Sequence, residues 1–127
     1  MRHLEDQHQA ALFNWAKVKR IAAGGVLADY LYAIPNGGRR DAREGARMKA
    51  QGVKAGVSDL HLPIPVAGSH GLWIEMKAPK PAQARVSAEQ KAWIEKMKAL
   101  GHEAVVCRGF DEAKAAIEAY LSRGVVA

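Results

Sequence analysis

At 127 residues the chain is long enough to bury a core and too short for two ordinary domains, so one domain over 1–127 is expected. Hydrophobic residues make up 49% and charged residues 25%, the balance of a folded soluble protein, and no apolar stretch approaches a membrane span. A lone cysteine excludes an internal disulfide framework. Met1 is followed by Arg2, His3, Glu5 and Asp6 rather than by a signal peptide's apolar region, so the expected setting is a reducing cytoplasm.

The net charge of +6 points weakly to a polyanionic partner, and its distribution says more. Arg39, Arg40, Arg43, Arg47, Lys49 and Lys54 form one basic run, opposed only by Asp41 and Glu44. Lys77, Lys80, Arg85, Lys91, Lys96 and Lys98 belong to a second. Either could be a solvated helix face. Two runs flanking the acidic pair described below favour contact with a phosphate backbone.

Residues 4–20 read as an amphipathic helix, with Leu4, His8, Ala11, Leu12 and Trp15 on one face and Gly24-Gly25 as its break. A short strand over 30–34 ends at Pro35 and the turn Asn36-Gly37-Gly38. The spacing predicts a helix over 39–51, stopped by Gly52, and then a hairpin with strands near 59–63 and 71–77. After Pro79 and Pro81, Ser87 opens a helix burying Trp93, Ile94, Met97 and Leu100, with Gly101 past its end. Ala104–Cys107 is a last strand, with Cys107 a small buried hydrophobe rather than a reactive thiol. Asp111 can cap a final helix that turns Ala113, Ala116, Ile117, Tyr120 and Leu121 inwards. The order α-β-α-β-β-α-β-α describes a small mixed β-sheet flanked by helices, an α/β fold.

The hairpin carries the chemistry. If its turn over 63–71 is symmetric about Ala67, Asp59 falls opposite Glu75. Side chains alternate along a strand, so Asp59, His61, Trp73, Glu75 and Lys77 share one face. Leu60, Leu62, Leu72, Ile74 and Met76 share the other, which is wholly apolar. Facing acids destabilise a sheet. A divalent cation with oxygen ligands is the simplest compensation. Two carboxylates and a backbone carbonyl can hold Mg2+ or Mn2+, and a lysine on the same side can serve a water attacking a phosphodiester. The bland alternative is an aspartate capping a turn and a weak Glu75–Lys77 ion pair.

Other residues stay ambiguous on local grounds. Glu5, in a first helical turn, suits the helix dipole as well as a site. Ser87 and Gln90 have capping-box spacing, so Gln90 can serve the helix end, the site or both. Asn36-Gly37-Gly38 is either an ordinary turn or a loop whose amides approach a phosphate beside Arg39 and Arg40. His61 can support the site from opposite Trp73, whereas His3 and His8 are poorly spaced for one ligand face. No Cys/His set supports zinc.

Together, Gly56-Val57-Ser58-Asp59 and Ile74-Glu75-Met76-Lys77 resemble the split Asp…Glu-x-Lys signature of the restriction-endonuclease-like (PD-(D/E)xK) nucleases. The wider order, Glu5 with Gln9, Asn36-Gly37-Gly38-Arg39, Asp59, Glu75 with Lys77, then Gln90, resembles the VRR-NUC (virus-type replication-repair nuclease) branch over nearly the whole chain. The resemblance implies a restriction-endonuclease-like core that cuts DNA with Mg2+ or Mn2+. It implies Asp59 and Glu75 as metal ligands with the Met76 carbonyl, Glu5 reaching the metal shell, Lys77 as catalytic lysine and Gln90 in support. Ser58 departs from the pattern, standing where the family usually has proline.

The expected activity is therefore metal-dependent DNA hydrolysis, with Asn36, Gly37, Gly38, Arg39, Arg40, Arg43, Arg47, Lys54 and Lys80 as DNA contacts. A non-catalytic nucleic-acid-binding domain retaining the fold is the alternative. A chain this small has little surface for reading a long sequence, so branched or structured DNA is the expected substrate. Symmetric cutting of a junction calls for two sites and hence a homodimer, for which the last helix and the Val125-Val126 tail are candidate surfaces.

Overall fold

The computed structural model describes residues 2–35 and 42–126. Its elements are α1 (Arg2–Ala16), a 3₁₀ turn (Leu27–Asp29), β1 (Tyr32–Ala33), α2 (Ala42–Ala50), β2 (Leu60–Leu62), β3 (Leu72–Lys77), α3 (Ala88–Ala99), β4 (Glu103–Arg108) and α4 (Phe110–Leu121). Helices and strands follow the order read from the sequence. The expected DNA contacts Asn36, Gly37, Gly38, Arg39 and Arg40 lie outside the described residues.

The strands form one mixed sheet in the order β1-β2-β3-β4. β1 to β2 and β2 to β3 are antiparallel, and β4 lies parallel to β3. That last pairing requires a crossover, which α3 supplies. The hairpin register is the one the apolar alternation demands: Leu60 pairs with Ile74, His61 with Trp73 and Leu62 with Leu72. A one-residue slip would turn the apolar side chains of one strand, Leu60 and Leu62 or Leu72, Ile74 and Met76, out of the core. The tip closes where Val66 and Ser69 exchange hydrogen bonds of 3.0 Å in each direction. Gly68, at φ +82°, occupies the position where a type II turn needs positive φ.

Leu60, Leu62, Leu72, Ile74 and Met76 are buried with Leu12 and Ala16 of α1 and Ala113, Ile117 and Tyr120 of α4. The opposite face packs on α3, where Ile94, Met97 and Ala104 are covered by Trp73, Trp93 and Val106. Two helices on one face and one on the other make the expected α/β layering. Tyr120 fastens α4 to the hairpin, its hydroxyl donating to the Ile64 carbonyl at 2.6 Å. Cys107 is buried and its thiol is pushed up to about 12 by desolvation, assisted by Glu112, which fits an inert hydrophobe.

Several boundaries differ from the sequence expectation for identifiable reasons. α1 ends at Ala16 rather than near residue 20 because the chain folds back on itself. Leu27 N–H donates to the Lys19 carbonyl at 2.8 Å, and Arg20 bridges Val26. Tyr30 and Leu31 close the 3₁₀ turn instead of joining β1, both donating to the Leu27 carbonyl. Leu100 is 61% exposed rather than buried, because it is the C-cap of α3 and the chain turns away at Gly101, φ +91°. The Val125-Val126 tail pairs with its own hairpin loop: Val126 N–H donates to Pro65 at 3.1 Å, and Ala67 N–H to Gly124 at 3.0 Å.

Asp111 does not cap α4. The N-cap is Gly109, which has no side chain to offer, and the orphan amide of Phe110 donates instead to His8 Nδ1 at 2.8 Å. His8 thus ties α1 to the start of α4 across 102 residues of sequence. Removing a cap of this kind typically costs about 1 kcal/mol. His8→Ala should therefore lower the thermal midpoint by a few degrees, and an unchanged midpoint would refute the assignment.

Candidate active site

β3 delivers Glu75 and Lys77 to the α3 face of the sheet, where they are only 3% and 8% exposed. Asp59 arrives from the residue before β2, where the chain leaves the ladder. Its main chain still pairs with β1, accepting from Ile34 N–H at 2.7 Å. Its side chain takes over the next ladder position: Asp59 Oδ2 accepts the Met76 amide at 2.7 Å. The carboxylate is thereby fixed at the open end of the hairpin beside Glu75.

Glu75 has two unlike oxygens. Oε2 accepts from Gln90 Nε2 at 3.0 Å and lies 3.8 Å from Lys77 Nζ. Oε1 is buried with no hydrogen-bond partner among the described residues. Burial, then the adjacent Asp59 carboxylate, raise Glu75 to about 8. Lys77 opposes the rise and Glu5 adds to it, so the charge of Glu5 on α1 is felt at Glu75.

Gln90 caps its helix and also contacts Glu75. Its backbone N–H donates to Ser87 Oγ at 3.1 Å and its Oε1 accepts from Ser87 N–H at 2.8 Å, a complete capping box. The Nε2 of the same amide holds Glu75. Gly56 explains why a glycine precedes Asp59. It sits at φ +86°, and a Cβ there would collide with the carbonyl of Glu89, one residue before Gln90. Ser58, in the position of the family's proline, is 1% exposed with no partner for its hydroxyl among the described residues.

The remaining expected residues are placed as follows. Arg43 and Arg47 lie on α2, which buries no residue. Arg47 pairs with Glu44 at 2.8 Å in the open. Lys54 and Lys80 are exposed. Gln9 lines a shallow groove between α1 and β1 with Phe13 and Tyr32. His61 belongs to an aromatic stack rather than to the carboxylates: its ring lies 3.9 Å from that of Trp73, and Nδ1 hydrogen-bonds Tyr32 Oη at 2.7 Å.

The donor set suits a hard divalent cation. An orphaned buried carboxylate oxygen and a carboxyl forced to hold its proton are the two features a cation relieves at once. Among the described residues no three His, Cys, Asp or Glu side chains converge as a ready-made ligand group, so two carboxylates are the nucleus of such a site.

The fold that carries this acidic pair has a counterpart among known proteins. The VRR-NUC domain family matches residues 4–111. The chain belongs to the VRR-NUC family. A solved structure described as a VRR_NUC domain protein superimposes with a TM-score of 0.84 at 34% identity, covering 95% of this chain and 90% of its own. No curated protein matches the chain. The VRR-NUC assignment brings with it a nuclease-type fold, and no helix of the described residues is long and apolar enough to cross a membrane.

Two measurements test the site's physics. Glu75 ordinarily ionises near 4.5 and here near 8, so over that interval the folded state keeps a proton the unfolded state has lost, and stability falls as pH rises. Burial lowers His61 and His102, which act in the opposite sense below their ordinary 6.5. From pH 6.5 to 8, metal-free protein should therefore lose about 1–2 kcal/mol, and Mg2+ or Mn2+ should restore it. Glu75→Gln should abolish both the slope and the metal response; a variant that retains them would refute the account.

Gly56→Ala should cost about 2–4 kcal/mol, combining positive-φ strain with a backbone collision. Gly52→Ala, also at positive φ but with nothing within 4 Å, should cost about 1 kcal/mol. Equal losses in thermal or denaturant unfolding would remove the collision from the explanation.

Proposed function

We propose that this VRR-NUC chain is a metal-dependent DNA endonuclease that hydrolyses phosphodiester bonds in branched or structured DNA. The observation that carries the reading is the pairing of half-buried Asp59 with buried Glu75, with one Glu75 oxygen unpartnered and Lys77 beside the other. Asp59 and Glu75 would hold Mg2+ or Mn2+ with the Met76 carbonyl, and Glu5 would add its negative charge from α1. When bound, the cation supplies charge neutralisation at the phosphate and an acidified water.

The protein's own groups do the rest. Asp59 is held by the Met76 amide and cannot swing away without breaking a 2.7 Å hydrogen bond. Gln90 prevents rotation of the Glu75 carboxylate and keeps Oε1 facing inwards. Lys77 Nζ orients the attacking water and stabilises negative charge developing on the phosphate oxygens. The exposed cations of α2 and Lys54 and Lys80 contact the DNA backbone without reading sequence. A homodimer would place two such centres on the two strands of a junction.

The decisive assay is cleavage of junction, flap and linear DNA with and without Mg2+ or Mn2+. Wild-type protein should cut the branched forms faster than linear duplex and only with metal. Asp59→Ala and Lys77→Ala should lose at least 100-fold in rate, in the range a single charge-stabilising group supplies. Metal-dependent cutting that survives either substitution would overturn the mechanism. Tight, salt-sensitive binding with no cutting of any substrate would make the domain a non-catalytic binder.

A further inference from the structure

Beside the carboxylates lies a pocket whose cationic lining, Lys80 apart, neither the nuclease signature nor the family match assigns. The segment from Lys80 to Val86 curves away from the end of β3 and back to α3, enclosing a pocket of about 610 Å3 open to solvent. Its charged lining is entirely cationic: Lys80, Arg85, Lys91 and Arg108. Among the described residues no ion pair reaches any of these four. Like charges gathered around one cavity repel, and the arrangement calls for an anion.

The pocket's position is set by the sheet. Arg108 is the parallel-ladder partner of Lys77, so both side chains leave the same face from adjacent strands, with backbones about 5 Å apart. The Arg108 guanidinium donates to the Ala84 carbonyl at 2.8 Å, which fixes the loop that forms the opposite wall. Lys91 directly follows Gln90, whose amide holds Glu75. The cationic pocket and the acidic centre therefore share a border.

We propose that this pocket binds a phosphodiester group of the DNA strand next to the one being cut. The inference rests on the nuclease reading and adds its substrate requirement: the strand must continue past the scissile phosphate on the pocket side. An internal phosphodiester is the occupant because the pocket is an open trough along the border of the site. A terminal phosphate monoester presents the same chemistry and is distinguished by experiment.

The test measures DNA binding without metal, so that it is independent of catalysis. Arg85 and Lys91 are exposed, and among the described residues their side chains make no hydrogen bond or ion pair, so Arg85→Ala/Lys91→Ala removes charge without removing structure. A control, Lys17→Ala/Arg20→Ala, removes two exposed charges that belong to neither basic run. The slope of log K against log salt should fall by about 1 for each pocket charge removed and stay near wild type in the control. Equal slopes in wild type and pocket variant, or equal reductions in pocket and control variants, overturn the proposal.

Oligonucleotides ending in phosphate or hydroxyl, at either terminus, separate the two sources. Loss of affinity confined to phosphorylated ends would overturn the internal-phosphodiester assignment. The two readings also fail separately. Wild-type protein that cuts DNA while the pocket variant keeps its salt slope loses the pocket alone; protein that cuts nothing while the slope falls loses the nuclease reading alone.

Discussion

The site depends on one hydrogen bond, from the Met76 amide to Asp59 Oδ2. In an uninterrupted hairpin that amide would face a backbone carbonyl of β2. Here the chain departs at Ser58 and Asp59, and a carboxylate fills the acceptor position instead. The substitution satisfies the buried donor, which would otherwise cost about 1–3 kcal/mol. It also brings a negative charge against Glu75. A sheet that ran one residue further would be more regular and would have no site.

Everything around that bond fixes its neighbours. Gly56 lets the incoming chain lie against the Glu89 carbonyl, so the approach to Asp59 and the first turn of α3 are set by the same contact. The first turn in turn carries Gln90, which closes the helix cap with one side of its amide and holds Glu75 with the other. A glutamate at position 90 could complete the same capping box. It would set a third carboxylate against Glu75, so the amide is required by the site and not by the helix.

Much of this was legible in the sequence because it follows from period two. The alternation of Leu60, Leu62, Leu72, Ile74 and Met76 determines the hairpin register, and the register places Glu75 and Lys77 on one face with Asp59 adjoining. The capping box at Ser87 is a local pattern of four residues and was equally readable. The fold order and the VRR-NUC family were legible for the same reason, since the motifs sit at element ends. What the sequence hid is long-range. Nothing near His8 signals that its ring caps a helix beginning at Phe110, and Asp111 looked the better cap because local rules see only local partners. Arg108 was equally hidden: a parallel pairing across a crossover has no local signature, so its place beside Lys77 emerges only in three dimensions.

The balance of energies explains how a small sheet tolerates such a centre. Ionising Glu75 beside Lys77, 3.8 Å away, rarely offsets the desolvation it requires, and the neighbouring Asp59 carboxylate adds to the cost, so Glu75 keeps its proton to about 8. Against this stand the five apolar side chains on the reverse face of the same two strands, each nearly inaccessible to water. At about 1.5–3 kcal/mol apiece they contribute on the order of 10 kcal/mol. The hairpin is thus stabilised from one side and destabilised from the other, and the stabilising side is larger. Because alternate residues serve the two faces, the acidic face can be tuned by the chemistry it must perform without disturbing the register that positions it.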